Sequence, residues 1–249
     1  MVQPRRECMD AEAAGKVAPL LRAGRWFGGL PREFSDELLK AAQLRTLVPG
    51  ERVFFRGDPP NGMFGVIEGA IRISGSAEDG KESLIMLCEC PYWFGESGIL
   101  DRLPRSRDAV AEVESRVVHV PEAALERILE AEPRYWRELG ALVTSKLKLA
   151  FIALDDAALQ PIPIRVARRL VMIAEGYGEW HDRSSRVIEA RQEQLARMLS
   201  TSRQTVNQVL KQLESDSIVR LNYGRIEIID LDALRKAAKW TPMRLTGTP

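Results

Sequence analysis

Between Arg191 and Glu214 the chain reads RQEQLARMLSTSRQTVNQVLKQLE, and its second half gathers side chains that make directional hydrogen bonds. Arg203, Gln204, Asn207, Gln208 and Lys211 recur at helical spacing, with Ser202 and Thr205 at the start of the run. A guanidinium can fork onto guanine O6 and N7, and an amide can pair with adenine N6 and N7. Hydroxyls and the N–H groups of a helix start suit phosphate. Side chains of these types on one face can read a duplex; an ordinary surface helical hairpin is the plainer alternative.

The surrounding sequence must position that face. Leu195, Met198 and Leu199 share one side of a first helix, Ser200-Thr201 breaks the pattern, and Val206, Leu210 and Leu213 point a second helix inward. Ser202 is placed to cap the second helix by accepting from the backbone near Thr205. Two apolar-rich runs then flank Asn222-Tyr223-Gly224, a hairpin signal with Gly available for positive φ. Helix, turn, helix and hairpin together predict a winged helix-turn-helix.

Charge supports a polyanionic partner for this half alone. Residues 161–249 hold 15 positive and 10 negative side chains, whereas residues 1–160 hold 21 and 25, so a chain of formal net charge +1 is divided into halves of +5 and −4. No apolar run near the N-terminus has the form of a signal peptide or membrane span, and three cysteines make an odd number, so a reducing cytoplasm is the expected compartment and no membrane partner is expected.

Other chemistry is poorly served. Cys88-Glu89-Cys90 offers two thiols, short of a four-ligand zinc or iron-sulfur set, and Cys8 is the third. His119 and His181 are the two histidines, which argues against a haem sensor. Gly95-Glu96-Ser97-Gly98 approaches a nucleophile elbow, but Ile99 stands where that motif needs Gly. No catalytic residue and no metal site is assigned.

Taken in order, residues 1–29 form an N-terminal arm, with a loose segment or short helix up to Arg25, and Pro31 to Leu44 reads as a helix. From Leu47, short apolar runs (Val53–Phe55, Met63–Ile67, Ala70–Ile73, Leu84–Leu87, Asp108–Val113, Val117–Pro121) alternate with turn signals such as Asn61-Gly62 and Asp79-Gly80, predicting an all-β barrel or sandwich. Glu122 to Ala131 returns to helix. Pro133 to Gln160 is the longest helical pattern; Trp136, Val143, Ala150 and Ala157 are spaced by sevens with Gly140, Leu147 and Leu154 beside them, a heptad stripe that can pair with a copy of itself or pack along its own β domain. Pro161-Ile162-Pro163 breaks that helix and starts the next.

Four pieces in order, PGERVFFRGDPPNGMFGVIEGAIRI (49–73), FGESGILDRLPRSRDAV (94–110), PIRVARRLVMIAEG (163–176) and STSRQTVNQVLKQLE (200–214), make residues 30–238 resemble the Crp/Fnr family of bacterial regulators, typified by the catabolite activator protein. The resemblance implies an α+β fold: a cyclic-nucleotide-binding-type β-roll (30–132), a long dimerisation helix (133–160), a C-terminal winged helix-turn-helix (161–240) and a tail (241–249). It implies a homodimer through residues 133–160 on a two-fold symmetric site in double-stranded DNA, and RNA polymerase as a further partner if the protein activates. Carried over residue by residue, Gly95 contacts the effector through its backbone, Glu96 the ribose hydroxyl, and Arg105 and Ser106 the cyclic phosphate of cyclic AMP or another nucleotide such as cyclic-di-GMP.

Two departures qualify the match. The Thr-Ser pair with which cyclic-AMP binders receive adenine falls on Ala150-Phe151, leaving Phe151 to stack on a base. Arg203 matches the family's guanine reader, but Gln204 and Gln208 replace Glu and Arg, which predicts a site richer in A·T at those steps. Two alternatives stay open: a regulator that binds DNA with an empty pocket, and a nucleotide-binding regulatory subunit acting on a protein partner.

Overall fold

The structure is a computed structural model that describes residues 6–9, 11–76, 82–179, 186–188 and 190–240. It divides into two compact units, one from residues 1–81 and 85–144 and the other from residues 82–84 and 145–249. The tail at 241–249, His181 and the Asp79-Gly80 turn lie outside the described residues.

In the first unit a short strand β1 (Arg6–Cys8) is followed by α1 (Ala11–Arg22), α2 (Arg25–Gly28), α3 (Arg32–Ala41), β2 (Gln43–Leu47), β3 (Arg52–Phe54), β4 (Gly62–Glu68) and β5 (Ala70–Ser76). Then come β6 (Glu82–Glu89), β7 (Trp93–Phe94), α4 (Ser97–Asp101), β8 (Asp108–Ala111), β9 (Ser115–Pro121) and α5 (Glu122–Ala131). The strands make one sheet in the order β1-β2-β9-β4-β7 and a second in the order β3-β8-β5-β6.

Two expectations for this unit need correction. Of the two readings of the N-terminal segment the helix holds, over Ala11–Arg22, and the loose arm does not: Leu21 and Phe27 are fully buried, and the Phe27 and Trp93 rings stack with centroids 5.1 Å apart. Charge and small residues hide the periodicity, but Val17, Leu21, Trp26 and Phe27 supply the apolar surface that caps the core. The helix predicted over Pro31 to Leu44 stops at Ala41, because Gln43–Leu47 pair antiparallel with Ser115–His119 and extend the sheet instead.

A 24-residue helix α6 (Trp136–Leu159) begins in the first unit and ends in the second, the division falling after Thr144. In its second part Leu147, Phe151 and Leu154 are exposed, although an aqueous surface gives leucine and phenylalanine no stabilisation. Among the described residues no helix is long and apolar enough to cross a membrane.

The second unit continues with α7 (Ile162–Ala174), with Pro163 in its first turn, then β10 (Val187–Ile188), α8 (Gln192–Met198), α9 (Arg203–Ser215), β11 (Val219–Asn222), β12 (Arg225–Ile228) and α10 (Leu231–Ala237). Its three strands are ordered β10-β12-β11, and β11 and β12 form an antiparallel hairpin with Asn222 opposite Arg225. The two-residue turn Tyr223-Gly224 needs a left-handed backbone at its second position; Gly224 supplies it at φ 72°. The chain is thus α+β: a β-rich N-terminal unit, a long helix and a C-terminal winged helix-turn-helix.

Candidate nucleic-acid interface and β-roll cassette

The two helices of the motif are joined by a tight turn. α8 ends at Met198 with Leu199 as its C-cap, Ser200 turns left-handed at φ 50°, and Ser202 caps α9 by accepting from the Thr205 backbone N–H at 3.0 Å. Beneath the turn, Leu195, Val206, Leu210 and Leu213 are buried together with Met198 and Leu199, as their spacing requires. Arg165 of α7 holds the turn from the other side by donating from Nη2 to the Leu199 carbonyl at 2.7 Å. The wing is tied on by Glu214, whose Oε1 accepts from the Leu221 N–H at 2.7 Å.

Burying one side of α9 leaves its polar side outward. Arg203, Gln204, Gln208 and Lys211 are exposed, and their side chains make no hydrogen bond or ion pair among the described residues. Uncommitted donors and acceptors on a rigid helix need break nothing to meet a base edge. Asn207 differs: its Oδ1 accepts from Gln192 Nε2 at 3.1 Å, so this amide ties the second helix to the start of the first. The Ser202 and Thr205 hydroxyls lie 2.8 Å apart in a hydrogen bond beside the first turn.

Between the N-terminus of α8, the start of α9 and the wing lies a cleft of about 360 Å³ into which three elements each bring an arginine: Arg191, Arg203 and Arg225. Tyr223 stands fully exposed at the wing's tip. Sequence reasoning singles out Arg203 but not Arg191 or Arg225, because only the fold brings residues 191, 203 and 225 to one cleft. Since the Ser202 hydroxyl accepts from an N–H of the first turn of α9, Ser202→Ala is expected to lower the stability of the second unit by about 1 kcal/mol. Thermal unfolding measures this; no shift in the transition would remove the cap from the account of the helix start.

The cassette of the first unit is built around Arg105. Its side chain is buried: Nη1 donates to the Gly95 carbonyl at 2.6 Å, while Nη2 donates to Asn61 Oδ1 at 2.8 Å and to the Gly62 carbonyl at 2.7 Å. The guanidinium also lies over the Phe54 ring, 4.4 Å from its centroid. Burial pushes the Arg105 pKa below its ordinary value, opposed by the charges of Glu122, Glu96, Asp101 and Asp58. An arginine nonetheless stays protonated at neutral pH.

Glycines make room for this arginine. Gly95 sits at φ 93°, where an added Cβ would lie 3.0 Å from the Gly62 carbonyl oxygen and 3.3 Å from Arg105 Nη1. Glu96 is buried at the start of α4, and Ser106 is exposed. Four of the five effector candidates, Gly95, Glu96, Arg105 and Ser106, therefore belong to one cassette; Phe151, 56% exposed on α6, belongs to the second unit. Sequence reasoning does not reach Asn61: it lies more than thirty residues before the cassette, and only the fold makes it an acceptor for Arg105. The residues fit a small anion in part, because Arg105 Nε is buried without a hydrogen-bond partner while both terminal nitrogens are already engaged.

Among the described residues no three or more His, Cys, Asp or Glu side chains stand together as a metal site; Cys88 is buried and Cys90 half-buried. His119 is buried, stacks on Phe64 at 4.5 Å and lies within hydrogen-bond distance of the Asn61 carbonyl.

The Cyclic nucleotide-binding domain family matches residues 44–132, and the Crp-like helix-turn-helix domain family matches residues 164–237. The chain is 29% identical to the CRP-like cAMP-activated global transcriptional regulator of Mycobacterium tuberculosis, over 88% of this chain and 98% of that protein. It is 28% identical to the Cyclic AMP receptor protein of Thermus thermophilus, over 85% and 95% respectively. In fold it is similar to FixK2 from Bradyrhizobium japonicum, with a TM-score of 0.69 at 19% identity, covering 79% of this chain and 96% of that one.

Proposed function

Because the chain belongs to the Crp/Fnr family of transcription regulators, we propose that it works as a homodimer on a two-fold symmetric DNA site, read by two copies of α9 and modulated by a cyclic nucleotide in the β-roll. The observation that carries this reading is the row of uncommitted polar side chains on α9 beside the arginine cleft. Arg203, Gln204 and Gln208 are the base readers, with Lys211 on the same face. Ser202, Thr205 and the cleft arginines face phosphate, and Asn207 orients the helix through Gln192. The exposed Leu147 and Leu154 supply the self-complementary stripe of the dimer.

For the effector, two relatives carry cyclic AMP in their names, which makes it the first nucleotide to test. A bound cyclic nucleotide would supply a phosphate anion and a sugar hydroxyl. Arg105 and Ser106 would face the former and Glu96 the latter, with Gly95 offering its backbone. One observation favours a second reading, effector-independent DNA binding: Arg105 already satisfies three acceptors of its own cassette. The protein acts in the cytoplasm, has no catalytic role, and meets RNA polymerase where it activates.

Selection from a random DNA pool, followed by gel shift with and without cyclic AMP, cyclic GMP and cyclic-di-GMP, tests these statements together. The expected product is a palindrome with G·C at the Arg203 step and A·T at the glutamine steps. No retained DNA even at low salt, where phosphate contacts are strongest, would refute the regulator reading. Retention indifferent to every nucleotide would remove the effector alone, and a consensus identical to that of the catabolite activator protein would remove the A·T assignment.

A further inference from the structure

We propose that Arg168 and Asp156 form a clamp that fixes the winged helix on the second half of α6, so that residues remote from the reading face set how far apart two copies of α9 stand on DNA. The inference rests on the homodimer reading above.

Arg168, near the middle of α7, uses all three guanidinium nitrogens. Nε donates to the Ala238 carbonyl at 2.9 Å, Nη2 to the Lys239 carbonyl at 3.2 Å, and Nη1 to the Asp156 carboxylate. Ala238 is the C-cap of α10, and Asp156 lies in the last turn of α6. Carbonyls at a helix C-terminus carry partial negative charge, and a carboxylate in a last turn is disfavoured by the same field. The ends of two helices thus direct negative charge at one cation. The two side chains are 19% and 10% exposed, so solvent and salt screen the pair little.

The consequence is mechanical. Only Gln160 and Pro161 separate α6 from α7, and a two-residue link does not fix the angle between two helices. The clamp crosses that link. Beyond it, Arg165 on the same helix grips the Leu199 carbonyl, so a continuous set of contacts runs from α6 through α7 to the turn that starts α9. The second half of α6 also presents Leu147 and Leu154, the proposed dimer stripe. When two reading heads are linked, binding the second is strong only if the linkage holds it at the right distance. Arg168 and Asp156 are therefore positioning residues for DNA binding.

The test uses full-length protein and the duplex that wild type selects from random DNA, a single half-site duplex, and versions of the full site with the spacer lengthened or shortened by one or two base pairs. Asp156→Asn removes the charge and leaves the bonds of Arg168 to α10. The variant is expected to sediment as a dimer and to bind the half-site within about twofold of wild type. It should bind the full site about tenfold more weakly and lose the wild type's preference for one spacer. Asp156→Glu, which restores the carboxylate, should recover most of that preference. Unchanged spacer preference in Asp156→Asn overturns the clamp, and so do equal losses on half and full sites, which mark a merely structural role. A monomeric wild type would instead sink the homodimer reading and the clamp with it, so the two failures are separable.

Discussion

Leu147→Glu combined with Leu154→Glu is expected to turn a dimer into a monomer and to weaken binding to a two-fold operator by about a hundredfold. The two leucines are 50% and 63% exposed and lie seven residues apart on α6, so they stand on the same stripe two helical turns apart. Burying a leucine side chain contributes roughly 1.5–3 kcal/mol, and symmetry counts every contribution twice. Glutamates at the same positions would face their own copies across the interface, adding like-charge repulsion to the lost burial. Neither side chain supports the fold of its own unit, so the monomer should keep its helix content by circular dichroism. Sedimentation velocity measures the first effect and gel shift on full and half sites the second. A double variant that sediments with the wild type would place the interface elsewhere.

That stripe is legible in the amino-acid sequence because heptad spacing survives translation into geometry without help from the rest of the fold. The same holds for Ser202, whose capping role follows from the three residues after it, and for Gly224, whose positive φ follows from a two-residue turn. Features set by partners distant in sequence are not legible. Strand β2 reads as the end of a helix because Gln43–Leu47 becomes extended only by pairing with Ser115–His119, about seventy residues away. Residues 11–28 read as an arm because Trp26 and Phe27 gain their meaning from Trp93.

The functional sites divide the same way. Residue type and face identify Arg203, Gln204 and Gln208, since a helix displays its periodicity openly. Asn207 has the same type and nearly the same face, yet Gln192 engages it, and nothing in the local pattern announces that bond. Arg165 and Arg168 read as ordinary basic positions of an amphipathic helix. Their acceptors, the Leu199 carbonyl and the end of α10, exist only when the winged helix is assembled. Arg105 is recognisable from the cassette's resemblance, while its engagement by Asn61 and Gly62 comes from the fold alone.

That engagement makes Arg105→Met the second large effect, on stability in place of assembly. Methionine has similar reach and recovers much of the packing over Phe54, so the loss isolates hydrogen bonding. Three acceptors lose a cationic donor: the carbonyls of Gly95 and Gly62, and Asn61 Oδ1. A hydrogen bond to a charged group contributes about 1.5–3 kcal/mol, and an acceptor left buried without a donor costs about 1–3 kcal/mol. Asn61 is exposed and can turn to water, so it recovers its bond; the bond from Arg105 to the Gly62 carbonyl is buried, and that carbonyl recovers nothing. Release of the arginine's own burial cost offsets part of the rest, and the net loss in the first unit is expected to be about 3 kcal/mol. The Trp26 and Trp93 side chains are buried in that unit and report its unfolding by fluorescence, where the urea midpoint should fall by about 1.5 M. Arg105→Lys, which keeps the charge but not the fork, should fall between the two proteins. If the methionine variant unfolds within about 0.3 M of wild type, Arg105 is not holding its cassette. Its buried charge would then be maintained for a ligand and not for the fold, which would favour the effector reading over effector-independent DNA binding.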